Sequence, residues 1–79
     1  MNAIEERIAE VLSAQFKVER AAIEPDVTFA ALRFDSLVLI ELGLILDTEF
    51  GVEIDDGELT NEMTISDAAE LVAAKGASL

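Results

Sequence analysis

The sequence predicts an all-α domain: a small four-helix bundle of three longer helices and one short helix, with a long first loop. Three observations lead to this. Apolar residues recur three and four apart in three separate segments. Each segment is bounded by residues that start or stop helices. Alternating, strand-like patterns are weak throughout. With 79 residues, the chain is expected to form one domain, residues 1–79. A domain of this size buries only about 60% of its unfolded surface, too little for both a core and a deep catalytic cleft. An apolar content of 52% still suffices for a compact core, despite the charge.

In the first segment, Ile4, Ile8, Val11, Leu12 and Phe16 fall at helical spacing, with Glu5, Glu6 and Glu10 between them. Lys17 and Arg20 come near its end. Acids early and bases late suit a helix dipole, so a helix is expected from about Ala3 to Lys17. A long connection follows. Pro25, the single proline, turns Glu24 away from helical geometry. Asp26 or Thr28 can begin a short turn, and Ile23, Val27, Phe29 and Leu32 are placed to pin the loop to a core. The second helix is expected from about Ser36 to Phe50, with Asp35 as its N-cap and Gly51 just past its end. Val52, Ile54 and Leu59 lie among acids in a stretch that reads as loop with at most one short helix. Thr64 followed by Asp67 is a capping-box start for the third long helix. Ile65, Ala68, Leu71 and Val72 supply its apolar face, and Gly76 ends it.

Inventory excludes several functions. There is no Cys and no His, so thiolate metal sites, disulfides and Ser-His or Cys-His catalysis are absent. The N-terminal stretch has neither the basic nor the apolar region of a signal peptide. No apolar run approaches the ~20 residues needed to span a bilayer, and the chain reads as cytoplasmic. Seventeen acids against five bases give a net charge of −12. No base occurs between Arg33 and Lys75, where eleven acids fall from Asp35 to Glu70. Such a surface repels nucleic acid and anionic membrane and attracts basic patches on partner proteins.

The second helix is the most informative element. On a wheel of 3.6 residues per turn, Leu39, Leu42, Gly43, Leu46 and Phe50 fall on one side. Leu37, Ile40 and Leu44 fall on the other, beside Glu41, Asp47 and Thr48. An ordinary surface helix has one apolar stripe. Two stripes mean either a central helix buried on both sides, or an exposed apolar strip that docks a protein. The acids sharing the second side favour docking. Ser36 would stand at the helix start, where unpaired N–H groups favour a phosphate. It is well placed to carry a phosphodiester, although simple capping accounts for it equally.

The segments "FDSLVLIELGLILDTEFGVEIDD" and "TISDAAELV" resemble the acyl carrier proteins, with their Asp-Ser-Leu motif. The resemblance covers essentially the whole chain: Asp35-Ser36-Leu37, Glu41-Leu42, Leu46, Phe50, Ile54-Asp55, Thr64-Ile65 and Asp67. It implies a carrier without catalytic residues or a resident metal, in an acyl-carrier-like bundle. By that resemblance Ser36 carries 4′-phosphopantetheine from coenzyme A, whose thiol a chain without Cys cannot supply. Asp35 caps the helix and helps hold the metal in the complex with the phosphopantetheinyl transferase. Arg33, Leu37, Val38, Ile40, Glu41, Leu44, Asp47, Glu53, Asp55 and Asp56 form the face that partners read. Leu42, Leu46, Phe50, Ile54, Leu59 and Ile65 line the core where some members shelter the acyl chain. The implied partners are that transferase, an acyltransferase or acyl-activating ligase, and synthase enzymes with basic or apolar docking patches. The carrier itself is expected to be a monomer.

The sequence departs from the family pattern in two places. Arg33 stands where the family usually has glycine, which puts the turn before the motif in question. Val38 and Leu39 follow the motif where fatty-acid carriers are more polar, which suggests a greasier strip. Both departures favour a stand-alone carrier of specialised polyketide or polyketide-peptide biosynthesis. Housekeeping fatty acid synthesis, an aminoacyl or peptidyl carrier, and an unmodified helical adaptor are the competing readings. A calcium-binding hand over Asp47–Glu58 fails at its ligand positions, because Val52 stands where the sharp-turn glycine is required.

Overall fold

The computed structural model describes residues 1–78. Its order is α1 (Ala3–Phe16), a single 3₁₀ turn (Arg20–Ala22), α2 (Ser36–Phe50) and α3 (Ile65–Ala74). The all-helical class and the three long helices agree with the sequence expectation. The short helix expected between residues 52 and 63 does not form. That stretch is irregular, with turns at Asp56–Gly57 and Asn61–Glu62. The reason is local. The Glu58 carboxylate accepts from the Asp55 N–H at 2.8 Å, while the Glu58 N–H donates to the Asp55 carbonyl at 3.1 Å. Gly57 between them has φ +91°, outside helical geometry.

Each long helix starts on a side-chain cap. The Asn2 side chain accepts from the Glu5 N–H, and the Glu5 carboxylate accepts from the Asn2 N–H, a reciprocal box the sequence reading missed. Thr64 and Asp67 form the expected box on α3. Asp35 caps α2 and Gly51, at φ 66°, closes it. α1 ends at Phe16, because Lys17 takes a left-handed conformation at φ 59°. Lys17 and Arg20 therefore lie beyond the last helical turn, and Arg20 pairs with Glu6 instead.

One core gathers residues from every part of the chain. Ile8 and Leu12 from α1, Leu42, Leu46 and Phe50 from α2, and Ile65 and Val72 from α3 are fully buried. The long first loop contributes Ile23, Phe29 and Phe34. It is held by backbone bonds to the segment entering α3. Phe29 N–H donates to the Met63 carbonyl at 3.0 Å and Ala30 N–H to Asn61 at 2.8 Å. Ile65 and Ser66 N–H groups donate back to Val27 and Pro25 at 3.1 and 2.9 Å. These bonds satisfy loop backbone that burial removes from water, and they fix where α2 begins.

Candidate functional site

The approach to α2 is a tight turn over residues 29–34. Phe34 N–H donates to the Phe29 carbonyl at 3.0 Å and Arg33 N–H to the Ala30 carbonyl at 2.9 Å. This pair of bonds is the Schellman pattern, and it requires a left-handed residue at its centre. Arg33 is that residue, at φ 65°. The end of α3 shows the same two bonds, Ala77 to Val72 and Gly76 to Ala73, with glycine at the centre. The turn that the arginine put in question therefore forms without glycine. An apolar contact between the flanking residues usually accompanies the pattern. Here Phe29 and Phe34 stack with centroids 5.8 Å apart, and Phe16 lies against Phe34 at 5.4 Å. This aromatic cluster anchors the residue immediately before Asp35.

Asp35 is exposed, and its Oδ1 accepts from the Val38 N–H at 2.9 Å. Ser36 is the first helical residue and is exposed. The N–H groups of Ser36 and Leu37 find no acceptor among the described residues. The hydroxyl thus stands in water beside two free amide donors and the positive end of a 15-residue helix. A phosphoryl group attached there would meet donors rather than carboxylates alone, so these residues fit such a group.

Beyond Ser36, α2 keeps one of its stripes in water. Leu37 is 72% exposed, Leu44 62% and Ile40 41%, beside exposed Glu41. Burial on both sides is thereby excluded. Val38, expected on the partner face, is half-buried against the core instead, and Leu39 is buried. At 100° per residue both turn inward, so they do not widen the strip. Asp47 is half-buried, and its carboxylate accepts from the Ile54 N–H at 2.8 Å. It ties α2 to the following loop. Glu53, Asp55 and Asp56 are exposed along that loop.

A cleft of about 100 Å³ lies between α2 and this loop. Ser36 lines it, with Leu39, Gly43, Ile54 and Leu59, and Asp55 and Asp56 also border it. Of the six residues expected around an acyl chain, only Ile54 and Leu59 line the cleft. Leu42, Leu46, Phe50 and Ile65 are sealed in the core. The loop wall is latched to α3 by the Lys75 Nζ–Glu58 Oε1 pair at 2.9 Å. The bond to Lys75, helped by the Asp55 N–H, holds the Glu58 carboxyl below the usual range. The same bond raises Lys75 above its ordinary value.

Sequence reasoning missed the Phe29–Phe34 clasp, the Asp47 tie and the Glu58–Lys75 latch. Two aromatics five apart around a position meant for glycine were a legible sign of the first. The other two join residues seven and 17 apart across irregular backbone, where no periodic rule pairs them.

A family model described as "Phosphopantetheine attachment site" matches residues 6–72 of the chain. The chain belongs to the acyl carrier protein family. Its relatives include the acyl carrier proteins of two Nitratidesulfovibrio vulgaris strains, DP4 and Hildenborough. Each is 34% identical over 73 residues, covering 91% of this chain and 96% of the relative. The protein of the Miyazaki F strain is 33% identical over the same span. The carrier is not an enzyme, and its cofactor is 4′-phosphopantetheine. Proteins of this family work with transferases and synthases. No helix among the described residues is long and apolar enough to cross a membrane.

Proposed function

We propose that Ser36 is the attachment point, and that the carrier delivers acyl groups to partner enzymes through the α2 strip. The carrying observation is the exposed Ser36 hydroxyl at the first position of α2, beside two unpaired amides and capped by Asp35. In loading, the hydroxyl gives up its proton and its oxygen bonds to the phosphorus nearest pantetheine in coenzyme A. The diphosphate P–O bond breaks, and adenosine 3′,5′-bisphosphate leaves. Once attached, the arm supplies the thiol on which acyl groups ride as thioesters. Asp35 retains Oδ2 for the transferase's metal, since the cap uses Oδ1. Leu37, Ile40, Glu41 and Leu44, with Glu53, Asp55 and Asp56, form the surface offered to basic or apolar patches on the transferase, on an acyltransferase or acyl-activating ligase, and on synthases.

The pathway we favour is specialised polyketide or polyketide-peptide biosynthesis. Arg33 supports it, as a cation that the family's usual glycine does not offer. Housekeeping fatty acid synthesis is the second reading. It is favoured by the inward turn of Val38 and Leu39, which leaves a narrower, acid-edged strip.

The test is an intact mass after incubation with coenzyme A, Mg²⁺ and a broad-specificity transferase. One phosphopantetheine is expected on the parent and none on Ser36→Ala. Equal gain on both would move the attachment elsewhere. The loaded carrier is then offered to a reconstituted fatty acid synthase. Chain elongation at the rate of that system's own carrier would favour the housekeeping reading.

A further inference from the structure

The chain has five bases, and three of them are paired within the fold. Arg7 meets Glu10 and Glu49, Arg20 meets Glu6, and Lys75 meets Glu58. Among the described residues, Lys17 and Arg33 make no ion pair. Both also occupy left-handed backbone, at φ 59° and 65°, a conformation filled elsewhere in the chain by Gly51, Gly57 and Gly76. A side chain there costs strain that glycine avoids. Arg33 is exposed, so burial does not offset that strain. The turn is held by backbone bonds and by the Phe29–Phe34 stack, in which the guanidinium has no part. What singles out Arg33 is its place, three residues before Ser36.

We infer that the Arg33 guanidinium binds the phosphodiester of the arm on Ser36, and so fixes the direction in which the arm leaves the protein. The inference rests on Ser36 being the attachment point. Loading adds a negative charge to a chain that already carries −12. The charge arrives next to exposed Asp35, with exposed Asp55 and Asp56 bordering the cleft that Ser36 lines. Like charges this close repel one another. Arg33 is the only base between Arg20 and Lys75 in the sequence, and both of those are already paired. Asp35 does not capture it, because the Asp35 carboxylate turns to the Val38 N–H instead. The backbone keeps Arg33 close, since three residues span no more than about 10 Å. Phe34 between them is buried, which pins the connection. An arginine side chain and a phosphorylated serine reaching toward each other cover that span. The planar fork of arginine can meet both free oxygens of a phosphodiester at once. A partner that grips the phosphate with a cation of its own finds one already there, so the pair also bears on which partners dock.

The experiment compares the full chain with Arg33→Gln and Arg33→Lys, each before and after loading from coenzyme A by the transferase. Intact mass confirms loading, and Mg²⁺ is then removed with EDTA. Glutamine keeps the left-handed strain and removes the charge, so the unloaded proteins are expected to melt close together. Loading is expected to shift the Tm of the parent upward relative to Arg33→Gln by about 2–4 °C at low ionic strength, the size of an exposed charge pair in a domain of this length. Arg33→Lys, with the charge but not the fork, should fall between them. Salt at about 1 M, where the Debye length is about 3 Å, should close the gap. The phosphorus-31 resonance of the arm is a second readout, one that a purely structural role would leave unmoved. It is expected at different positions in the parent and Arg33→Gln at low salt, and at one position at high salt. Equal Tm changes on loading, with one resonance position for all three proteins, overturn the inference and leave Arg33 to face a partner. If Arg33→Gln resists loading, the parent alone decides: a resonance that moves as salt rises supports the pair, and one indifferent to salt overturns it. No mass gain in any of the three removes the Ser36 reading beneath it.

Discussion

At the scale of single residues, Arg33 shows how a local rule is broken and compensated. A non-glycine residue in left-handed geometry costs roughly 1–2 kcal/mol. The stacked Phe29 and Phe34 rings and the backbone bonds to Met63 and Asn61 hold the turn regardless. Glycine there would relieve the strain but lose more chain entropy on folding, about 0.5–1 kcal/mol. Arg33→Gly is therefore expected to stabilise the carrier by about 0.5–1 kcal/mol in urea unfolding. A loss of stability would mean that the guanidinium makes contacts exceeding the strain. The sequence identified Arg33 as an unusual residue. It could not show that the turn survives, because the clasp depends on two rings meeting in space.

At the scale of elements, α2 divides its apolar residues between two tasks. Leu46 is fully buried and Leu44, two residues earlier, is 62% exposed. Leu46→Ala is expected to cost about 2–5 kcal/mol through lost burial and the cavity left behind. Leu44→Ala is expected to change stability by no more than about 0.5 kcal/mol, as surface substitutions do. Its effect should appear instead as slower transfer of the arm by the transferase, read as a raised KM. Unchanged kinetics for Leu44→Ala would remove that residue from the docking face. The wheel separated these two stripes correctly, because helical periodicity assigns residues to faces. Val38, which the resemblance put on the partner face, packs against the core instead, since a position between stripes is settled by which neighbours approach it. The loop after α2 was harder still. Its acids read as surface charge, yet Glu58 holds the Asp55 amide, and Asp47 in the last turns of α2 holds the amide of Ile54 in the loop.

At the scale of the molecule, charge and compactness oppose each other. The radius of gyration is 11.0 Å, close to the roughly 11.6 Å expected for a compact domain of this length. The long loop is thus folded into the body, and a charge of −12 is confined to a small volume. Salt or Mg²⁺ is expected to raise Tm at neutral pH by screening this repulsion. A melting curve indifferent to ionic strength would count against it. Against that background, the Glu58–Lys75 latch has its own pH window. Glu58 is lowered, so its contribution is complete above the ordinary carboxyl value of about 4.3 and fades as pH falls through the lower folded value. Lys75 is raised, so its contribution is complete below about 10.4 and fades as pH rises through the higher folded value. Glu58→Gln is expected to lower Tm by a constant amount between those limits, with the difference closing at both ends. A difference that persists unchanged at pH 3 would show that the lost interaction is not ionic.

The sequence by itself determined the helical class, the starts of all three long helices and the end of α2, the buried stripe of α2 and the exposed serine at its head. All of these follow from short-range rules: periodicity, capping chemistry and residue inventory. The tertiary structure alone decided that residues 52–63 fold as turns, that the first loop is laced to the entrance of α3, and that a cleft opens beside Ser36. Those features arise where segments distant in the chain compete for the same space and the same hydrogen-bond partners.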